Sequence, residues 1–250
     1  MPCFPRLPLL AMLLMLAPGL ARAQPAGESA MPSAFTPAQR AEIVQIVRRA
    51  LQRDPSILRD AVTALEASDS VRQTAAVARQ KRMLLHDPAD PVAGNPAGRV
   101  TIVEFYDTRC PYCRTMLPVM DRLLARNPDV RLVFKDIPIL GPASLLGAQA
   151  LLAAQRQGGY LKLQHALMGE AAAPTRASIR ADAERLGLDG ARLVRAMDDP
   201  AIAARIQANL ALAHDLGVNG TPAFVVGRQL VPGAISFSDM QKLVAAARKG

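Results

Sequence analysis

RVTIVEFYDTRCPYCRTMLP, residues 99–118, is the stretch on which the fold turns. Its first nine residues are β-branched, aromatic and mostly apolar, which predicts a strand buried on both faces over 99–107. Pro111 directly follows Cys110 and suits the first turn of a helix, where no N–H donor is lost. A helix is predicted over 111–126, interrupted by Pro118. Cys110 therefore falls where a strand hands over to a helix. A sulfur there faces unpaired backbone N–H groups and the positive end of the helix dipole, and Arg109 and Arg114 add positive charge nearby. These features favour the thiolate, the reactive form in disulfide exchange. Cys113 lies one turn later, beneath Cys110 and less exposed. Cys110 would attack a substrate disulfide and Cys113 would resolve the mixed disulfide.

Two other chemistries share this spacing. A zinc half-site needs two further ligands, and no second C-x-x-C exists; His86, His165 and His214 are scattered and read as surface or capping residues. Met116 and Met120 read as core fillers rather than metal ligands. A structural disulfide would close so short a loop that it adds little stability. The strand before and the helix after weight the pair toward redox chemistry.

Residues 1–23 have the layout of a cleaved export signal: Arg6, an apolar run over 7–16, a break at Pro18-Gly19 and Ala21-Arg22-Ala23. The run is too short for a bilayer span, which needs about 20 residues. Cleavage is expected after Ala23, delivering the protein to the periplasm. Cys3 leaves with the signal, so only Cys110 and Cys113 remain. Loss of Arg6 and Arg22 takes the net charge from +9 to +7. That charge is spread out and the chain holds no Trp, so it lacks the basic stripe with stacking groups of a nucleic-acid surface.

Working outward, residues 24–35 are Pro/Ala/Ser-rich and read as a disordered linker. Thr36-Pro37 with Gln39 reads as a capping box, followed by Ile43, Val47, Ala50 and Leu51 at helical spacing. Asp54-Pro55 restarts the pattern through Leu58, Ala61, Val62 and Leu65. A third helical stretch, about 70–85, has sparse apolar positions at Val71, Ala75 and Ala78. Residues 36–86 thus read as a helical arm that buries its stripes against another copy, with packing on the main domain as the alternative. Residues 87–98 read as a loop. VRLVFKDI, 130–137, is a second buried strand. Residues 142–216 are Ala- and Leu-rich with helical periodicity, restarting at Pro174-Thr175, Asp189-Gly190 and Asp199-Pro200. TPAFVVGRQLVPG, 221–233, reads as a hairpin turning at Gly227-Arg228, and a last helix covers about 238–248. The order predicts an α/β sheet covered by helices, with 142–216 as a cap within a domain spanning 87–250.

TIVEFYD, then CPYC, then Pro118, and far downstream GVNGTPAFVVG resemble the thioredoxin fold of the DsbA-like family. The arm FTPAQRAEIVQIVRRALQRDPSILRDAVTALE resembles the suppressor-of-copper-sensitivity protein C branch, some of whose members are trimers. The resemblance spans about residues 35–248. It implies Cys110 as the attacking thiol and Cys113 as the resolving one. Thr221 and Pro222 would form the cis-proline loop that faces the cysteines and pairs with the substrate strand. Glu104 would be the buried acid that trades protons with Cys113, with Lys135 as its partner across the sheet, and Tyr112 and Thr221 would tune redox preference. It implies no cofactor beyond a redox-active Cys110–Cys113 disulfide, and no metal. The expected partners are protein thiols and disulfides, a membrane redox partner that resets the dithiol, and a second or third copy bound through 36–85. The expected activity is that of an isomerase or reductase, with a dithiol oxidase and a copper(I)-binding module as alternatives.

Overall fold

The computed structural model describes residues 35–249. The expected signal, its cleavage point after Ala23 and all but the last residue of the 24–35 linker lie outside the described residues.

The chain divides into two compact units after Leu58. In the first, α1 (Pro37–Arg53) opens with the expected capping box. Thr36 Oγ1 accepts from the Gln39 N–H at 3.3 Å, and the Gln39 side chain accepts from the Thr36 N–H at 2.8 Å. Two orphan donors are satisfied reciprocally. No α1 residue is buried. Ile43, Val44, Ile46 and Val47 stand exposed, as do Ile57 and Leu58 at the start of α2 (Ser56–Arg79).

In the second unit α2 runs unbroken through residue 70, where a separate helix was expected, and a short α3 (Lys81–Leu85) follows. The expectation that 70–85 holds too little apolar surface for a core is corrected. Ala76, Val77 and Leu84 are buried in one cluster with Val103, Phe105 and Val133 of the sheet.

Five strands form one sheet among the described residues: β1 (Val92–Gly94), β2 (Val100–Tyr106), β3 (Val130–Asp136), β4 (Ala223–Val226) and β5 (Gln229–Pro232), in the order β1-β3-β2-β4-β5. β2 and β3 are parallel and joined by α4 (Pro111–Arg126); β4 lies antiparallel on the other side of β2. β1 falls inside the expected 87–98 loop. Three residues between Pro91 and Asn95-Pro96 carry no strand pattern of their own. β3 holds them: the Phe134 N–H donates to the Pro91 carbonyl and the Asn95 N–H to the Val130 carbonyl, at 3.0 and 2.9 Å. So short a strand blunts the sheet edge.

The 142–216 cap comprises α5 (Pro142–Gln155), α6 (Tyr160–Gly169), α7 (Arg176–Arg185), α8 (Gly190–Ala196) and α9 (Pro200–Asp215). Its restarts are true caps: the side chains of Thr175, Asp189 and Asp199 accept first-turn N–H groups at 2.8–3.0 Å. Gly217, at φ +72°, closes α9, and α10 (Phe237–Ala247) ends the fold. Strand alternation sorts the core into two faces. Ile102, Tyr106, Leu132 and Phe134 face α4, α10 and the cap; Val103, Phe105, Val133 and Val225 face α2, α3 and the end of α9.

Candidate active site

Cys110 is the N-cap of α4, with φ −71° and ψ 120°. Two backbone bonds set it there: the Cys110 N–H donates to the Asp107 carbonyl at 3.0 Å, and the Arg114 N–H donates to the Cys110 carbonyl at 3.1 Å. Cys110 is 4% exposed and Cys113 is fully buried, and both thiols are free. The chain returns 111 residues later to meet the first sulfur. Cys110 Sγ donates to the Thr221 carbonyl at 3.2 Å, and the Thr221-Pro222 bond is cis. The loop expected to face the cysteines therefore does so. Tyr112 stands 64% exposed at the mouth.

Glu104 sits in the middle of β2, with Phe134 beside it on β3 and Phe224 on β4. Burial pushes its carboxyl from the ordinary 4.5 up to about 8, and the nearby charge of Asp121 adds to the rise. Burial also pushes the Cys113 thiol well up. A hydrogen bond from the Asp107 backbone opposes that rise, and the charges of Cys110 and Glu104 reinforce it. The charge of Glu104 thus reaches Cys113.

Lys135 is not the partner of Glu104. In the β2–β3 register it stands beside Phe105, on the opposite face of the sheet. Its Nζ donates to Asp90 at 2.7 and 2.8 Å and to the Met83 carbonyl at 2.6 Å, fully buried. Arg205 closes this ion cluster on Asp90 and Asp87.

Three groups beside the motif escaped the sequence reading. Asp107, buried at the end of β2, accepts the Arg109 N–H on one oxygen at 2.8 Å. Its other oxygen accepts the N–H groups of Ile139 and Leu140, at 2.9 and 3.1 Å. One carboxylate thus fixes both the approach to CPYC and the exit from β3; Asp two residues before a turn amide was the available signal. The second group is a buried chain in which the Tyr106 and Tyr160 hydroxyls lie 2.6 Å apart and Tyr160 donates to Asp136 at 2.8 Å. Burial raises the Asp136 carboxyl to about 7 against the lowering pull of both hydroxyls. The third is a set of backbone carbonyls. Arg109, expected to lend charge to the sulfur, directs its guanidinium to the carbonyls of Glu170, Ala171 and Ala172, and Arg114 also reaches that of Glu170.

A βαβ–ββα sheet with a dithiol at a helix N-terminus, under the carbonyl before a cis-proline, defines a thioredoxin-fold thiol–disulfide oxidoreductase. The family profile described as the DSBA-like thioredoxin domain matches residues 101–245, and the chain belongs to that family. A thioredoxin-like oxidoreductase from Silicibacter pomeroyi DSS-3 is 44% identical, with a TM-score of 0.65 over 68% of this chain and 98% of its own. A linker-deleted variant of Proteus mirabilis ScsC is 28% identical, with a TM-score of 0.66 over 88% of this chain and 99% of its own. That similarity bears out the branch named from the arm. A Na(+)/H(+) antiporter NhaA of Herminiimonas arsenicoxydans is 30% identical over 173 residues, 67% of this chain; the chain spans only 28% of that relative's length.

Proposed function

We propose that this protein is an exported thiol–disulfide oxidoreductase that reduces and rearranges disulfides in polypeptides, working as a self-associated assembly. The observation that carries the chemistry is Cys110 Sγ held at the N-terminus of α4, 3.2 Å from the Thr221 carbonyl. The Cys110 thiolate attacks one sulfur of a client disulfide; the client S–S bond breaks, a Cys110–client disulfide forms and the displaced client thiolate takes a proton from solvent. Cys113 then passes its proton to the Glu104 carboxylate and attacks the Cys110 sulfur. The Cys110–Cys113 disulfide forms and the second client thiolate leaves, so the client gains two electrons and the enzyme loses them. In rearrangement a second client thiol attacks the mixed disulfide instead. Glu104 suits the acceptor role because its raised pKa makes it a stronger base than an ordinary carboxylate.

Self-association rests on the arm. Ile43, Val44, Ile46 and Val47 are each 41–54% exposed on one helix. A second copy would bury such a face. No helix among the described residues is long and apolar enough to cross a membrane. Export, with cleavage after Ala23, and a membrane donor that re-reduces the dithiol complete the reading. The decisive assay is refolding of a scrambled, multiply disulfide-bonded protein, with the full mature chain and with one beginning at Arg59, which removes α1 and keeps Ala76, Val77 and Leu84 against the sheet. The full chain should restore native pairing, and the shorter one should be monomeric and slower. Fast oxidation of a reduced client without rearrangement would make the protein an oxidase instead. Tight copper(I) binding without exchange would make it a metal module.

A further inference from the structure

The arginines flanking the motif do not point at the sulfur's surroundings alone. Arg109 precedes Cys110 and Arg114 follows it by one helical turn, so both side chains leave α4 near its N-terminus. They converge on the segment joining α6 to α7. Arg109 Nη1 donates to the carbonyls of Glu170 and Ala172 at 3.4 and 3.0 Å, and Nη2 donates to that of Ala171 at 2.8 Å. Arg114 Nη2 donates to the Glu170 carbonyl at 2.8 Å. Three consecutive carbonyls just past the C-terminus of α6, where the helix dipole is negative, are thus held by two planar cations.

This arrangement decides which way the segment faces. With its carbonyls turned to the arginines, the N–H groups of Ala171, Ala172 and Ala173 remain, and among the described residues nothing accepts from them. All three alanines are exposed, so the surface beside the motif is methyl groups and free donors. Glu170, the one charged residue of the segment, lies 3.7 Å from Arg185 of α7. An extended polypeptide offers what such a surface lacks, a row of carbonyl acceptors with apolar side chains between them.

We propose that Arg109 and Arg114 are positioning residues that hold the 170–173 segment as a second backbone rim for an extended, disulfide-bearing polypeptide, in addition to the Thr221 carbonyl. This rests on the reading of the site as an exchanger of polypeptide disulfides. A small disulfide that reaches only the sulfur makes no use of the rim.

The test compares kcat/KM for reduction of an unfolded, disulfide-bonded polypeptide with kcat/KM for oxidised glutathione. Two variants are used: Arg109→Lys with Arg114→Lys, which keeps both charges but cannot fork three carbonyls, and Ala171→Gly, Ala172→Gly and Ala173→Gly together, which keeps both arginines but loosens the segment. Each should lower the polypeptide-to-glutathione ratio about tenfold, since misplacing a binding surface is felt by the substrate that uses it. The reduction potential should stay unmoved. An unchanged ratio in either variant overturns the proposal. So does a potential that shifts in the lysine variant, which would assign the arginines to the sulfur itself. A native protein that reduces neither substrate would instead sink the reading of the site.

Discussion

Glu104→Gln separates the buried acid from everything around it, because glutamine keeps the shape and discards the proton. The folded chain holds the Glu104 proton until about pH 8, whereas an ordinary glutamate releases it near 4.5. Between those values the folded state binds the extra proton, so stability falls as pH rises, by about 1.4 kcal/mol per pH unit. The whole effect is absent below the unfolded value and complete above the folded one. It reaches about 3 kcal/mol at pH 7 and about 5 kcal/mol at pH 9. Burial between Phe134 and Phe224 leaves little water to screen it. Urea unfolding of the reduced protein from pH 4.5 to 9, followed by circular dichroism, reads the difference directly. The two proteins should agree within about 1 kcal/mol at pH 4.5, and the glutamine variant should be the more stable at pH 9. In rapid-quench exchange the same variant should accumulate the Cys110 mixed disulfide, its resolution slowed about 100-fold for want of a base. Parallel pH profiles for the two proteins would refute the reasoning.

Asp121→Asn removes the charge that helps raise Glu104, so the alkaline end of the pH dependence should shift to lower pH, read as the midpoint of the Glu104 carboxyl resonance in NMR. Asp136→Asn should lessen the fall in stability between about pH 4 and 7, leaving the Glu104 share, a gain of about 4 kcal/mol at pH 8 by urea unfolding, because Asp136 also holds its proton to about 7. Asp90→Ala strands the buried Lys135 ammonium and should cost about 3–5 kcal/mol, whereas Asp90→Leu with Lys135→Met should cost less than the single change. Gly147→Ala would put a Cβ 2.4 Å from Thr108 Oγ1, so thermal unfolding should show a loss of about 1–3 kcal/mol despite the better helix propensity of alanine.

Local chemistry made much of this fold legible. Cys110-Pro111 marks the start of α4 because proline's missing donor and fixed φ suit only a helix's first turn, and Thr36, Asp189 and Asp199 mark helix starts because short oxygen-bearing side chains cap them. What stayed hidden depends on partners far away in the chain. β1 is a strand only because β3 pairs with it. Asp136 and Tyr160 meet across 24 residues of connection and helix. The three carbonyls that hold Arg109 belong to Glu170 and two alanines, residues whose side chains carry no signal of that role. Ala76 and Val77 are small, so their stripe looks too thin to pack until the flat back of the sheet is known.

The misplacement of Lys135 shows why register outranks proximity in such a sheet. Lys135 pairs with Phe105 and Phe134 pairs with Glu104, one residue apart in each strand. Side chains alternate with period two, so that single step sends the lysine to the far face. Glu104, Tyr106 and Asp136 stay on the face that also holds both cysteines. The thiols therefore share their side of the sheet with buried carboxyls titrating at about 8 and about 7 and with no strand cation, while Lys135 and Arg205 neutralise Asp90 behind it. Had Lys135 faced Glu104, an ion pair would have held the carboxyl ionised and low. Without it, burial governs, and the ionised form of Glu104 is a stronger base toward the Cys113 proton than a salt-bridged carboxylate would be.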